Sequence, residues 1–379
     1  MPDRLLQTPW MADADFAQRR GLARTKARVG TIISRNHAPA ARVLAQSLNR
    51  HHPELRLVVL QVDHEVFPLD ELDERFDLLT PRDIGVGRRE LHRLAAIYDA
   101  LEVCDSLKPR LLQYLLSTGA DAAVYLDSDI ELFARIDDLF QTAHISSILL
   151  TPQLAEPPPD DGLYPDEMAF LHTGVYNGGF VGVGPGAAPF LEWWDKQLRW
   201  HCLHEDKLFG DQRWLDFAPC FCDHAITRDP GCNVAWWNLG SRGLELGADG
   251  KYRVNGRPLR FFHYSYFDPE TPELLFDWNP ELPHRARVAA DHPHVAELCE
   301  RYASSLFASG YREDSAIRYQ FATTASGLPL DVHIRRAYRA GLLQLGDEDA
   351  AALPDPFSQA DAERFVQWLH STVPDAALT

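Results

Sequence analysis

The stretch Ala122-Ala-Val-Tyr-Leu-Asp-Ser-Asp-Ile-Glu-Leu-Phe133 decides the fold. Its first residues, Ala122 to Leu126, are apolar and run straight into Asp127, Ser128 and Asp129, which reads as a buried strand whose C-terminal end opens into a polar crevice. Strand tips of open α/β sheets are where ligands bind, and two carboxylates one residue apart can share a hard divalent cation through different oxygens or through water. Asp and Ser are also ordinary turn residues, so an acidic turn after a strand is the competing reading of the tripeptide.

Working outward, the 379 residues exceed what one core usually needs and predict one large domain with an appendage, or two domains. An apolar share of 45%, with 11% aromatic residues and no low-complexity tract, is enough for a sizeable core. The formal charge of -18 argues against a general nucleic-acid surface, because a phosphate backbone is repelled overall. Local basic stretches remain at Gln18 to Arg28 and at Arg88, Arg89 and Arg93. The N-terminus has no apolar run of signal-peptide type, and no stretch of about 18 uncharged apolar residues is present, so cytoplasmic residence is expected. Six scattered cysteines do not make a disulfide framework. The cluster of His201, Cys202, His204, Cys220, Cys222, His224 and Cys232 invites a zinc reading, but Cys-x-Cys lacks the spacer usual in structural zinc sites, and burial is the expectation.

Upstream of the opening stretch, Arg28 to Ser34 reads as a strand, Pro39 starts a helix that His51-His-Pro53 stops, and Leu55 to Val62 is a second strand. Strand, helix and strand with short connections imply a parallel sheet with a right-handed crossover. The polar Ser34-Arg-Asn36 then falls at the first strand's tip as a candidate nucleotide-binding loop, against the reading of a polar strand-to-helix loop without a ligand. Neither Gly-x-Gly-x-x-Gly nor Gly-Lys-Ser/Thr occurs, which removes the dinucleotide fingerprint and the P-loop. Helices are expected over Glu90 to Glu102 and from Lys108-Pro109 to Gly119. Downstream follow a helix from Ile136 to Ala143, a strand Ser146 to Thr151, a long loop over 153 to 175, a glycine-rich strand Tyr176 to Gly184 and a Trp-rich helix Ala187 to Trp200. Another helix is expected from Gly210, with Asp211 in its first turn. Asn255-Gly256 is a hairpin signal whose returning strand delivers His263 to a sheet edge. From about residue 285 the pattern is helical: His292 to Leu306, Leu330 to Tyr338 and Asp361 to Leu369. The expected division is a polar segment 1–28, a core 29–284 and a helical region 285–379.

These motifs in this order resemble GT-A fold glycosyltransferases. Asp127-Ser-Asp129 is similar to their Asp-x-Asp motif, and Asn177-Gly-Gly-Phe, Asp211-Gln212 and Phe261-Phe-His-Tyr-Ser265 follow as in the retaining glycogenin-like and lipopolysaccharide galactosyltransferase-like groups. A bacterial cell-surface polysaccharide subgroup is nearer still, through Tyr98-Asp-Ala-Leu-Glu102, Leu107-Lys-Pro109, Tyr125-Leu-Asp-Ser-Asp-Ile130, Asn233-Val-Ala-Trp-Trp-Asn-Leu239 and His263-Tyr-Ser-Tyr-Phe-Asp-Pro269. The resemblance spans roughly residues 29 to 280. Two departures stand out: Tyr266 occupies a position usually held by Gly, and the Lys-Pro-Trp that follows the metal histidine in glycogenin-type enzymes is missing. Gly327-Leu-Pro-Leu, Arg335, Tyr338, Asp355-Pro-Phe and Trp368-Leu resemble an accessory segment joined to bacterial polysaccharide glycosyltransferases.

The resemblance implies an α/β fold, a GT-A type Rossmann-like mixed sheet flanked by helices with a C-terminal helical extension. It implies a metal-dependent transfer with retention of configuration, in which Asp127, Asp129 and His263 hold Mn²⁺ or Mg²⁺. The donor is expected to be a nucleotide sugar, a UDP-sugar by preference. Thr31 and Asn36 are expected at its base or ribose, and Lys108, Asp127 and Ser128 at its phosphates. Asn177, Asp211 and Gln212 are expected beside the sugar, supporting front-face return rather than double displacement. A glycan or lipid-linked acceptor is implied, the latter with a transient contact of Arg19 to Arg28 at the inner membrane face. Two other readings compete: a binding protein that lost turnover, for which Tyr266 speaks, and a haloacid-dehalogenase-like phosphatase. The second normally has Thr or Val two residues past the second Asp, where Glu131 stands.

Overall fold

The structure, a computed structural model, describes residues 25–70, 74–205, 208–276, 281–349 and 353–372. Most of the 1–28 segment, including Arg19, Arg20 and Arg24, lies outside the described residues. Runs of β-branched and aliphatic residues buried on both faces form the central strands, as a sheet covered by helices on each side requires. These are β1 (Ala27–Ile33), β2 (Leu57–Gln61), β3 (Asp77–Leu79) and β4 (Ala122–Leu126). The short β5 (Ile130–Leu132), then β6 (Ile148–Pro152) and β7 (Tyr176–Val183) follow. In the seven-stranded sheet the order is His224–Ile226, β6, β7, β4, β1, β2, β3. β4, β1, β2 and β3 run parallel, whereas β7 is antiparallel to both β4 and β6. The sheet is therefore mixed and flanked by helices, as expected from the sequence.

Three local expectations are corrected. The helix expected over Glu90 to Glu102 is two, Arg88–Ile97 and Ala100–Ser106. Tyr98 between them is extended (φ -123°, ψ 145°), because Asp99 opens a new helix by accepting from the Glu102 amide at 2.9 Å while Glu102 accepts from the Asp99 amide. Tertiary bonds fix the break: the Tyr98 hydroxyl donates to the Leu198 carbonyl at 2.8 Å and accepts from the Cys202 amide at 3.0 Å. After Gly210 the chain forms a 3₁₀ segment, Gln212–Phe217, with Asp211 at its N-cap. The Asn255-Gly256 hairpin forms with positive φ at both residues (50° and 76°), but its return strand, Arg257–Pro258, is short. The strand Phe261–His263 then leaves it to pair antiparallel with β5, so His263 sits opposite Ile130 and not at an edge of the main sheet.

The helices Pro293–Ala308, Val332–Asp349 and Ala362–Thr372 pack onto this frame. Ile334, Tyr338, Leu342, Phe365 and Leu369 share one core with Leu91, Ala95, Leu60 and Trp194. The buried Arg335 guanidinium donates to the carbonyls of Ala95, Tyr98 and Phe321, and so satisfies the end of the broken helix. Val295, Leu298 and Tyr302 pack with Trp236, Trp237 and Tyr264. The six cysteines are free, and neither cluster of metal-ligating side chains among the described residues includes one. No helix of the described residues is long and apolar enough to cross a membrane.

Candidate active site

A cavity of about 820 Å³ opens where β1 and β4 end and β7 begins. β4 hands Asp127 to its wall, and the Asp127 amide continues the ladder by donating to the Gly179 carbonyl at 2.9 Å. β5 begins three residues later, at Ile130, and pairs with the strand Phe261–His263, which brings His263 back to the acidic tip. Its Nε2 lies 3.2 Å from Asp129 Oδ1 and 3.6 Å from Asp127 Oδ2. The other ring nitrogen, Nδ1, donates to Asn233 Oδ1 at 3.2 Å, which fixes the ring with Nε2 toward the carboxylates. Gly179 makes this convergence possible. A Cβ there would stand 2.4 Å from His263 Cε1 and 2.8 Å from both Asp127 Oδ2 and Asn177 Oδ1.

Asp127, Asp129 and His263 are thus one cluster whose ligand atoms lie within 4.8 Å of one another. Two carboxylates and one imidazole form a hard, oxygen-rich donor set that fits Mn²⁺ or Mg²⁺ better than a thiolate-seeking ion. Burial depresses the basicity of His263, but Asp129 and Asp127 outweigh it and hold the ring above its ordinary value; Asp129 is lowered, since His263 beside it overcomes burial. The second cluster, His52, Glu54 and Asp137, is already satisfied by Arg135, which bridges both carboxylates, and by the Ile136 amide, which donates to His52 Nε2.

Behind the acidic tip lies a chain of buried charges. Lys108 Nζ contacts Asp105 Oδ1 at 2.8 Å, Asp211 Oδ1 at 3.2 Å and Asp127 Oδ1 at 3.6 Å, and donates to the Gly178 carbonyl at 3.3 Å. Burial alone would lower its affinity for a proton, yet Asp105, Asp127 and Asp211 keep it well above the ordinary lysine range. Asp105, despite burial, is held down to about 2 by Lys108 and His204. Asp211 is pushed up to about 7, because burial and the nearby Asp105 and Asp127 outweigh Lys108. Its Oδ2 is buried with no hydrogen-bond partner. Gly178 leaves room for it, since a Cβ there would stand 2.8 Å from that oxygen.

Asn177, Lys108, Asp211 and Gln212 line the same cavity as the acidic cluster, with Ser128 between its two aspartates. Gln212 is engaged at both ends of its amide: Oε1 accepts from Asn177 Nδ2 at 3.0 Å and from the Gly178 amide at 2.9 Å, and Nε2 donates to the Thr173 carbonyl at 2.8 Å. It therefore acts on the site by locking Asn177 and Gly178. At the tip of β1, Ser34, Asn36 and His37 line the wall, and Ser34 Oγ donates to Asn36 Oδ1 at 2.6 Å. Thr31 is not brought to the wall. It is fully buried inside β1, with no partner for its Oγ1, because the strand continues past it and the cavity wall begins only at Ile32. Tyr266 lines the mouth with φ 61°, a left-handed conformation that an aromatic residue rarely adopts.

The sequence reading missed Asp105 and His204 as wall groups and Asn233 as the partner of His263. Asp105 stands three residues before Lys108 on contiguous helical chain, a spacing that brings opposite charges together. Asn233 lies within Asn233-Val-Ala-Trp-Trp-Asn-Leu239, and His204 within the His- and Cys-rich stretch from His201.

No family model matches the chain, and no curated protein matches it. Among solved structures it is similar to the galactosyltransferase LgtC in complex with donor and acceptor sugar analogues, at 15% identity over 74% of this chain and 95% of that one, with a TM-score of 0.41. An active-site mutant of LgtC is similar at 16% identity, over 73% and 95% of the two chains, with a TM-score of 0.41. The glycosyltransferase GlyE of Streptococcus pneumoniae TIGR4 is similar at 14% identity, over 78% of this chain and 66% of that one, with a TM-score of 0.39.

Proposed function

We propose that the protein is a metal-dependent glycosyltransferase. It moves a sugar from a nucleotide-sugar donor, a UDP-sugar by preference, to a glycan or lipid-linked acceptor with retention of configuration. The observation that carries this reading is the convergence of Asp127, Asp129 and His263 in the wall of a ligand-sized cavity, at a point kept open by Gly179. Those three side chains would hold Mn²⁺ or Mg²⁺, which when bound offsets the charge that grows on a departing diphosphate.

The remaining roles follow from the contacts. Lys108, whose ammonium is shared among Asp105, Asp127 and Asp211, fixes the relative positions of the metal site and the sugar wall. Asp211 supports positive charge on the sugar and orients it, and Gln212 holds Asn177 and Gly178 against it. Among the described residues that line the cavity, the carboxylates besides Asp211 are those of the metal cluster, Asp105 in its ion pairs and Asp99, which caps the helix Ala100–Ser106. This favours front-face return, in which the departing phosphate takes the acceptor's proton. Asn36 and Ser34 supply polar groups for the nucleoside at the tip of β1. Residues 29–284 form the catalytic unit in this reading, and 285–379 a helical accessory region.

The test is a panel of nucleotide sugars, with and without Mn²⁺, scored by thermal shift and by release of free nucleotide, on the wild type and on Asp129→Ala. Metal-dependent stabilisation by one donor and slow hydrolysis, both lost in the variant, is the expected result. Donor binding with equal strength in both proteins and no turnover would replace this reading with a binding protein.

A further inference from the structure

The chain of buried charges ends in the cavity at His204, a residue to which the roles above assign nothing. Its Nε2 faces Asp105 Oδ2 at 3.0 Å, while the other oxygen of that carboxylate takes Lys108 at 2.8 Å. The ring is further fixed from three sides. Its backbone amide donates to Glu102 Oε1 at 2.9 Å, its edge meets the Phe209 ring at 4.9 Å between centroids, and Gly210 covers it. Gly210 has φ 55°, and a Cβ there would stand 2.6 Å from His204 Nε2 and 2.8 Å from Asp105 Oδ2. Glu102 in turn receives Arg336 from the helix Val332–Asp349, so the C-terminal helices help to clamp the strand that carries the ring.

All of this machinery holds one nitrogen. Nδ1 has no partner among the described residues, and the ring lines the cavity beside Phe209 and Asp211. An imidazole anchored at Nε2 by a carboxylate presents a single, oriented polar atom at Nδ1. That atom donates when the ring is protonated and accepts when it is neutral. A sugar hydroxyl complements both states, since it accepts and donates equally well. An anionic group does not fit as well, because the charges of Asp105, Glu102 and Asp211 all act on the ring, and Asp211 Oδ2 in the same cavity is an acceptor without a partner.

We propose that His204, held by Asp105, is a sugar-binding residue that hydrogen-bonds a hydroxyl of the transferred sugar in the cavity that the Asp127–Asp129–His263 cluster also lines. The proposal rests on the glycosyltransferase reading. It makes Asp105 a positioning residue that joins two parts of the wall, with one oxygen on the sugar-binding imidazole and the other on Lys108.

The experiment compares the affinity of a nucleoside diphosphate with that of its nucleotide sugars by calorimetry in Mn²⁺, for the wild type, His204→Phe and His204→Gln. Phe keeps the ring's packing against Phe209 without its nitrogens, and Gln restores a polar atom. The expected result is a ~10–100-fold loss of nucleotide-sugar affinity in His204→Phe, with nucleoside diphosphate affinity unchanged and partial recovery in His204→Gln. Equal affinities for the nucleotide sugar in all three proteins would overturn the role of His204 while leaving the transferase reading intact. A parallel loss for both ligands would also overturn it, as it would mean a general disturbance of the site. If the wild type binds neither ligand, the underlying reading fails first, and the role of His204 with it.

Discussion

Gly179→Ala is the sharpest perturbation this site offers, because the added methyl lands inside the ligand cluster. The new carbon would stand 2.4 Å from His263 Cε1 and 2.8 Å from Asp127 Oδ2 and Asn177 Oδ1, all well under a van der Waals contact. The strand cannot shift to relieve it, since the Gly179 amide donates to Asn177 Oδ1 at 3.1 Å and its carbonyl accepts from the Asp127 amide at 2.9 Å. The ring must therefore rotate or retreat, breaking its bond to Asn233. Overpacking of this kind costs about 1–3 kcal/mol. At ~2.1 cal/mol/K per residue, a chain of 379 residues unfolds with an entropy of about 0.8 kcal/mol/K, so the apo protein should lose only ~1–4 °C in Tm. Metal binding should suffer far more, because losing the outer-shell bond that orients an imidazole ligand, here to Asn233, typically weakens affinity ~10–100-fold. The assay is Mn²⁺ titration by calorimetry alongside apo thermal unfolding, with Gly178→Ala as a control whose methyl meets Asp211 and not the cluster. A Gly179→Ala protein that binds Mn²⁺ like the wild type would refute the assignment of these three residues as a cation site.

Two further outcomes are expected. Asp211 titrates near 7 in the folded chain and near the ordinary carboxylate value when unfolded, so between about pH 4 and 7 the folded state binds the extra proton. Its contribution to stability is present at the acid end and is lost as pH rises through 7, by up to ~1.4 kcal/mol per pH unit within that window. Asp105, held at about 2, works in the opposite sense and only in more acid solution. Urea midpoints measured in chelator from pH 5 to 8 should therefore fall for the wild type and fall less steeply for Asp211→Asn; parallel slopes would contradict the buried-carboxylate account. At Tyr266, whose φ is 61°, Tyr266→Gly should be more stable than Tyr266→Ala by about 1 kcal/mol, reversing the usual order of those residues, as chemical denaturation would reveal.

Much of the frame was legible because the strands announce themselves. Leu57 to Leu60 and Ala122 to Leu126 are continuous apolar runs, and Val29 to Ile33 is one broken only by Thr31, as strands buried on both faces require. Asp127, Asp129 and His263 could be named because their types and order carry chemistry. What stayed hidden depends on pairing across the chain. The break at Tyr98 follows from hydrogen bonds to Leu198 and Cys202, a hundred residues away, which no helical periodicity reports. The crossing of Phe261–His263 to β5 is accompanied by Phe261 stacking on Phe180, again a contact between distant segments. Thr31 was misread for a related reason: residue type fitted a ligand role, but the point at which β1 ends put Ser34 and Asn36 at the wall instead. The Asp105–Lys108 pairing had a local signal in its i,i+3 spacing, but the Asp105–His204 pair joins residues 99 apart and exists only once the fold brings them within 3.0 Å.

The joint core described for the C-terminal helices bears on how the chain reaches its native state. Phe365 and Leu369 are sealed in the same cluster as Leu60 on β2, and Arg335 closes the helix end at Ala95 and Tyr98 from about 240 positions downstream. Contacts so remote in sequence carry a large loop-closure entropy before they return any stabilisation, and they slow folding. During synthesis the outer face of the helix Arg88–Ile97 therefore waits uncovered until the final helices arrive. That interval is when the nascent chain is most exposed to aggregation and most dependent on chaperones.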